Sequence, residues 1–291
     1  MSAPSVRSPV CADDRWYPSD AGELQDLLSR FLGQIADPPI QGELVGLISP
    51  HAGYTFAGPT AAHAYKQLAG RRYERVILLG PNHHAGSYPG LGPQALTLRD
   101  YYQTPLGRIA IDVDAIKQLD NQTRIDFLRG DHEHSLEMQL PFLQRQLGNA
   151  FKLVPLMLSA PFYIYGRDAR HACDKLAQAL IPLIDSQTLL VASSDLSHLD
   201  DYRAVEQYDA RLQALMGEYD IDKLVDYMVN DGECRACGDV AIITLLLAAR
   251  ACGANRIKVL HRTNSSDVIG QHIPGQYTVG YLAAAVYKSP E

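Results

Sequence analysis

Three short apolar runs constrain the fold of this chain more than any other feature of its sequence. They cover residues 44–48, 76–79 and 189–192, and within each run apolar residues follow one another without a regular polar alternation. Strands with this pattern bury both of their faces, as in a sheet that carries helices on each side. We therefore expect these runs to be strands in the middle of a layered α/β fold.

The rest of the chain alternates between strand patterns and helix patterns. Further strands are predicted at 152–158, 257–260 and 278–287, and helices at 20–33, 59–70, 133–148, 168–184, 201–217, 220–229 and 238–252. Two helix starts have specific signals. Asp20 with Glu23 forms a capping-box pattern, and Pro59 suits the first position of a helix that ends at Gly70.

The alternation runs through the chain without a linker, a repeat or a low-complexity tract. The composition, with 46% apolar and 20% charged residues, is that of a globular protein with a sizeable core. We predict one three-layer α/β domain over residues 1–291, with a mostly buried central sheet flanked by helices. Residues 1–18 are predicted to form a partly extended N-terminal arm.

Charge, hydropathy and cysteine content exclude several classes of function. The formal net charge is -7 and lysine and arginine do not cluster, so nucleic acid is not expected as a partner. The longest apolar stretch, 240–249, is too short to span a bilayer, and residues 1–9 lack the apolar segment of a signal peptide. Five scattered cysteines argue against a disulfide framework, and we expect a cytoplasmic protein.

Three histidines stand directly after predicted strands. His51, His83 and His198 each follow one of the three apolar runs within a few residues. Ligands of α/β sheets bind beyond the carboxyl ends of the strands, so the three imidazoles are expected at one edge of the sheet. One such histidine would most often be structural, but three in the same position indicate a shared site.

Cys237 stands at the start of the predicted helix 238–252. The positive end of a helix dipole favours a thiolate, which is the form that binds metals. Cys234 completes a Cys-x-x-Cys pair with Cys237, a pattern typical of either thiol redox chemistry or a structural zinc site. The spacing does not choose between these uses.

A polar cluster precedes the predicted helix 133–148. Asp131 suits the N-cap position, and His134 and Glu137 would share one helical face at a spacing of three residues. We interpret these two side chains as groups that orient metal ligands through hydrogen bonds. A solvent-exposed helix start is the alternative interpretation.

Six segments in the same order resemble the Memo family, and the resemblance runs from about residue 5 to residue 287. The matching segments are 49–54, 80–84, 102–106, 133–138, 193–198 and 237–238. The Memo family is in turn similar in fold to the class III extradiol dioxygenases, which use non-haem iron(II). The resemblance therefore implies a class III extradiol dioxygenase-like α/β fold.

The resemblance also implies roles for the residues at the strand ends. It assigns His51, His83 and Cys237 as metal ligands and places His198 where the extradiol enzymes keep an acid/base histidine. Iron(II) is the expected metal, with copper or zinc as alternatives. The dioxygenases have a carboxylate where this chain has Cys237, and a thiolate prefers softer metals, which argues against ring-cleaving activity.

Several functions remain open at this point. The first is a redox enzyme or oxygenase acting on an unknown small substrate, with His198 as general base, Asp195 orienting it and Tyr54 bordering the substrate cavity. The second is a metal-dependent hydrolase in which His198 or Glu137 transfers protons. The third is a non-catalytic adaptor or scaffold, since family members in animals are described as adaptors. Microbial members are often encoded with radical-SAM and AMMECR-type proteins, which are therefore expected as partners.

Overall fold

The structure, a computed structural model, describes residues 4–230 and 234–289. The strands are β1 (Val6–Arg7), β2 (Glu43–Ser49), β3 (Arg75–Pro81), β4 (Gln94–Thr97), β5 (Tyr101–Thr104), β6 (Gly107–Ile111), β7 (Asp126–Leu128), β8 (Lys152–Leu158), β9 (Thr188–Ser193), β10 (His198–Leu199), β11 (Arg256–Asn264) and β12 (Thr278–Lys288). The helices are α1 (Ala21–Gly33), α2 (Tyr54–Lys66), α3 (Val113–Gln122), α4 (Leu140–Leu147), α5 (Phe162–Tyr165), α6 (Arg167–Leu180), α7 (Tyr202–Glu218), α8 (Ile221–Asn230), α9 (Asp239–Ala251) and α10 (Ser265–Ile269).

The strands form one mixed sheet in the order β1-β5-β6-β8-β3-β9-β2-β12-β10. In addition, β11 pairs with β12, and β4 pairs with β7 and β8. The strands from β6 through β8, β3 and β9 to β2 run parallel, whereas β12 is antiparallel to β2. The carboxyl ends of β3, β9 and β2 therefore lie side by side at one edge of the sheet.

Helices cover the central strands. On one side α2 packs on β2, β11 and β12 and against α1 and α4, while a second group centred on α6 and α9 packs on β2, β3 and β9. From their second residues onward β2 and β3 are buried, and β9 is buried throughout, because helices cover both faces of these strands. The predicted α/β class with a buried central sheet between helices is confirmed.

Two predicted helices start at other residues than expected. The helix predicted at 59–70 begins at Tyr54, since Gly53 is its N-cap and Pro59 lies inside it. The first turn is fixed from Gly53, whose carbonyl accepts the N–H groups of Phe56 and Ala57. Proline therefore does not mark the helix start here, and the helix ends at Lys66.

The segment predicted as helix 133–148 is helical only in its second half. A 3₁₀ turn covers Glu137–Gln139 and α4 follows it. Asp131 caps no helix, because its carboxylate pairs with the guanidinium of Arg7 at 2.6 Å. The residues between Asp131 and the turn follow an irregular path that reaches the edge of the sheet, which brings Glu133 to the site described below.

The N-terminal arm is extended in part, as β1 pairs in parallel with β5. Several elements had no sequence prediction: the helices α3, α5 and α10 and the short strands β1, β4, β5, β6, β7 and β10. These strands have two to five residues, which is too short for a period to show in the sequence. None of the helices in the described ranges combines the length and apolar composition that crossing a bilayer requires.

Candidate metal centre

The parallel strands deliver three polar side chains to one edge of the sheet at the same distance from their strand ends. β2 ends at Ser49, β3 at Pro81 and β9 at Ser193. His51, His83 and Asp195 each stand two residues beyond one of these ends. The positional argument from the sequence thus has a geometric basis for His51 and His83, because adjacent parallel strands place equivalent positions side by side. Asp195 stands at the third equivalent position, whereas His198 lies five residues beyond the end of β9, on β10.

Cys237 reaches the same edge from the loop that leads into α9. Its Sγ lies 3.2 Å from His51 Nε2, and the ligand atoms of His51, His83 and Cys237 all lie within 4.8 Å of one another. Two ligands on one zinc ion, with metal–nitrogen and metal–sulfur bonds of about 2.0 and 2.3 Å, stand about 3.5 Å apart. This group of two imidazoles and a thiol therefore has the dimensions of a metal site.

The His51 ring is held with a defined nitrogen toward Cys237. Its Nδ1 lies 2.8 Å from Ser193 Oγ. That hydroxyl donates its hydrogen to the Ser135 carbonyl at 2.7 Å and accepts from Gln139 Nε2 at 2.8 Å. The remaining role of the hydroxyl is to accept from His51, so Nδ1 carries the proton and the lone pair of Nε2 faces the site.

The His83 ring is fixed in the same way by a carboxylate. His83 Nδ1 lies 2.9 Å from Glu133 Oε1, and the His83 backbone N–H donates to Glu133 Oε2 at 2.6 Å. An ionised carboxylate only accepts, so His83 Nδ1 carries the proton and Nε2 is free to ligate. Burial alone would raise the pKa of Glu133, but the hydrogen bonds from His83 and from the backbone N–H of Ser135 act in the opposite direction, and the pKa is lowered to about 2.

Glu133 was not singled out from the sequence, although it stands beside His134 in the polar cluster. A second group of side chains could also hold a metal, and it consists of His83, Glu133 and His134. The two groups have His83 in common. In this second group the carboxylate of Glu133 is already occupied by two donors from His83 and by the backbone N–H of Ser135 at 2.8 Å. Glu133 therefore acts on the candidate centre through His83.

The charge states of the three candidate ligands differ. Burial lowers the pKa of His51 well below its usual value, and the neighbouring histidines lower it further. Neutral imidazole is the form that ligates metals. Burial and the nearby carboxylate of Asp195 raise the pKa of the Cys237 thiol well above its usual value, although the helix start was expected to lower it. A bound cation supplies the positive charge that a thiolate needs here.

Asp195 organises the backbone of the site. Its Oδ1 accepts the backbone N–H of His51 at 2.7 Å and that of Ala52 at 3.3 Å, and its main-chain carbonyl accepts the N–H of Cys237 at 3.2 Å. It was expected to orient His198. Instead, His198 Nδ1 lies 2.9 Å from the carbonyl of Leu196, which leaves His198 Nε2 as the nitrogen with a lone pair.

Two other histidine positions complete the surroundings. His134 stacks on His83 with ring centroids 4.6 Å apart and contacts His51 edge to face at 5.3 Å. Burial lowers the pKa of His134 to about 4, although Glu133 acts in the opposite direction. His198 is half-buried, and a charge on it contributes to lowering the pKa of His51.

The hydrogen bonds of Glu137 and Tyr54 go to groups other than the candidate ligands, in contrast to their expected roles. Glu137 is fully buried and accepts from Arg7, Tyr17 and the backbone N–H groups of Val10 and Cys11. With its oxygens occupied in this way, the carboxylate cannot transfer protons for a hydrolase.

Tyr54 is buried and makes its contacts within the core. Its hydroxyl donates to the carbonyl of Met138 at 2.7 Å, and its ring packs on Tyr17 and Phe142 in the core. Cys234 is buried, and burial raises the pKa of its thiol to about 12. The five cysteines are free thiols.

A cavity of about 260 Å³ opens beside the candidate ligands. His83 and Cys237 form part of its wall, and Asp239, Tyr163 and Ile164 form other parts. We call it the Tyr163 cavity. It gives a small molecule access to two of the three candidate ligands.

Comparison with known proteins identifies the family. The family model described as Memo-like protein matches residues 7–285. This chain belongs to the Memo family. A MEMO1 family protein of Thermotoga neapolitana is 32% identical over 293 residues, covering 96% of this chain and 99% of the relative. MEMO1 family proteins of Nitrosopumilus maritimus and Methanopyrus kandleri are each 31% identical, covering 91% and 97% of this chain and 94% and 99% of the relatives.

A solved structure shares the fold of this Memo family chain. The crystal structure of an uncharacterized protein from Escherichia coli K12 matches with a TM-score of 0.50 and 13% identity, covering 82% of this chain and 99% of that one. The match supports the α/β architecture that presents the strand-end histidines.

Proposed function

We propose that this Memo family protein binds one transition-metal ion through His51 Nε2, His83 Nε2 and Cys237 Sγ, with iron(II) as the first candidate. The observation that carries the proposal is the convergence of these three atoms within 4.8 Å while hydrogen bonds direct both imidazole lone pairs inward. Two nitrogens and a thiolate suit iron, copper and zinc better than magnesium or calcium.

The proposed activity is redox chemistry, of oxygenase type, on a small substrate. A metal held by His51, His83 and Cys237 would supply Lewis acidity and electron transfer. The protein supplies a proton acceptor, since His198 Nε2 has a free lone pair and its Nδ1 is held by the Leu196 carbonyl. His198 would take a proton from the substrate and return it to the product.

Metal analysis of protein purified without oxygen tests the ligand set. We expect close to one ion per chain in the wild type and less than about a tenth of that in His51→Ala, His83→Ala and Cys237→Ala. Cys234→Ala controls for the loss of a buried thiol, and His171→Ala changes an exposed histidine on α6. Both controls should keep the wild-type content. A wild-type protein that cannot be loaded with iron, copper or zinc would refute the site.

Oxygen consumption by the iron-loaded protein tests the redox activity. Turnover with any member of a substrate panel that requires oxygen and falls at least tenfold in His198→Ala supports the proposal. Turnover that proceeds without oxygen and is sustained by zinc would favour a hydrolase instead.

A further inference from the structure

The Tyr163 cavity has an apolar wall of unusual exposure. Tyr163 and Ile164 lie on the short helix α5 and are 63% and 62% exposed, although contact of large apolar side chains with water is unfavourable. Both border the cavity. A molecule in the cavity would cover part of this surface.

The apolar wall is fixed relative to the candidate ligand Cys237. Asp239 is the first residue of α9, two residues after Cys237, and its Oδ2 accepts the backbone N–H of Phe162 at 2.9 Å. Phe162 is buried and begins α5. The carboxylate thus joins the start of α9 to the start of α5, so that the wall and the thiol keep a constant separation.

The lining of the cavity is poor in positive charge. Among the described residues that line it there is no lysine or arginine, and its acidic member is Asp239. The second oxygen of Asp239 accepts the backbone N–H of Val240 at 2.6 Å. An anionic group away from the metal would find polar Asn82 and Ser159 but no cationic side chain in this lining, which is unfavourable in a partly buried site.

We propose that the substrate is a small molecule with a metal-coordinating polar end and an uncharged, apolar body that lies against Tyr163 and Ile164. This inference rests on the proposed function, since the metal holds the polar end. The cavity of about 260 Å³ has room for a small organic molecule.

A series of hydroxamates tests the class of substrate, because the metal-binding end stays constant while the body changes. The cobalt(II)-loaded protein is titrated with acetohydroxamate, benzohydroxamate and 4-carboxybenzohydroxamate, and binding is followed in its visible spectrum. We expect benzohydroxamate to bind at least about tenfold more tightly than acetohydroxamate. The added carboxylate should weaken binding at least about tenfold relative to benzohydroxamate. Equal affinities, or tighter binding of the carboxylated compound, would overturn the inference.

Substitutions in α5 test whether Tyr163 and Ile164 cause the preference for benzohydroxamate. Tyr163→Ala and Ile164→Ala should each reduce the preference for benzohydroxamate over acetohydroxamate at least about threefold. Tyr165→Ala is the matched control, since Tyr165 is 50% exposed on the same helix but does not line the cavity. An equal reduction in Tyr165→Ala and Tyr163→Ala would contradict the assignment.

Metal-free protein separates this inference from the proposed function. Saturation-transfer NMR should show contact with benzamide, lost in Tyr163→Ala, and no contact with benzoate. If metal fails to bind but benzamide contacts Tyr163, the proposed function fails and the apolar site stands. If cobalt binds, but the protein does not discriminate among the hydroxamates or between benzamide and benzoate, the metal site stands and this inference fails.

Discussion

Replacing Arg7 should destabilise the protein strongly, because its guanidinium pairs with two buried carboxylates. Arg7 is 6% exposed, and it pairs with Asp131 at 2.6 Å and with Glu137 at 2.7 Å. The carboxylates themselves are 3% and 0% exposed. Arg7→Met keeps much of the side-chain volume but leaves both charges without their cation. Breaking a buried pair in this way typically costs about 3–5 kcal/mol.

We expect a loss of free energy of unfolding near the lower end of that range, about 3 kcal/mol. Glu137 would still accept hydrogen bonds from Tyr17 and from the backbone N–H groups of Val10 and Cys11. Equilibrium urea denaturation at pH 7.5, followed by circular dichroism, measures the loss. Since total stabilities are about 5–15 kcal/mol, the variant should still fold.

Arg15→Met is the matched control. Arg15 pairs with Asp13 but is 85% exposed, so its removal should change the free energy of unfolding by less than about 1 kcal/mol. Equal effects of the two substitutions, or a loss below about 1 kcal/mol for Arg7→Met, would refute the reasoning.

The same substitution should weaken metal binding without touching a ligand. Arg7 Nη2 also donates to the main-chain carbonyl of Glu133 at 2.7 Å, and the side chain of Glu133 holds the ring of His83. Loss of partners that support metal ligands lowers metal affinity about 10- to 100-fold. Competition for the metal with a chelator, at pH 7.5 and without denaturant, measures this change. Unchanged metal affinity in Arg7→Met would mean that Glu133 keeps its position without Arg7.

Three further substitutions have defined expectations. Burial raises the pKa of Asp209 to about 6 from 3.8, so the folded state binds more protons and the free energy of unfolding falls by about 2 kcal/mol as pH rises from 4 to 6; urea denaturation should show this slope reduced in Asp209→Asn. A Cβ atom at Gly238 would lie 2.3 Å from the Ser193 carbonyl, so Gly238→Ala should displace Cys237, lower the metal content and cost about 1–3 kcal/mol in unfolding measurements. Tyr54→Phe should cost about 1 kcal/mol and leave metal content and hydroxamate binding unchanged, because its hydroxyl bonds only within the core.

The sequence was sufficient to predict the central strands and the histidines that follow them. Unbroken apolar runs identify strands buried on both faces, and the strand-end positions of His51 and His83 are local properties of the chain. The pairing order that makes β2, β9 and β3 neighbours comes from long-range packing. The family resemblance, and not the spacing, indicated Cys237 as the partner of the two histidines.

The hydrogen bonds that support the site could not be predicted in the same way. His83 and Glu133 are 50 positions apart, and Arg7 and Glu137 are 130 positions apart. The pattern of residues 131–137 is typical of a helix start, because Asp131 suits an N-cap. In the folded protein the buried Arg7 binds Asp131 and Glu137 instead, and this tertiary interaction outweighs the local helix preference.

Cys237 shows how local and tertiary effects oppose each other at one atom. Its place before α9 favours a thiolate through the helix dipole, an effect of about 0.3–1 kcal/mol at an exposed position. Burial and the carboxylate of Asp195 act in the opposite direction and are stronger, so the pKa of the thiol is raised. These effects favour a protonated Cys237 thiol in the metal-free protein. A metal cation bound by His51, His83 and Cys237 would replace that proton on the sulfur.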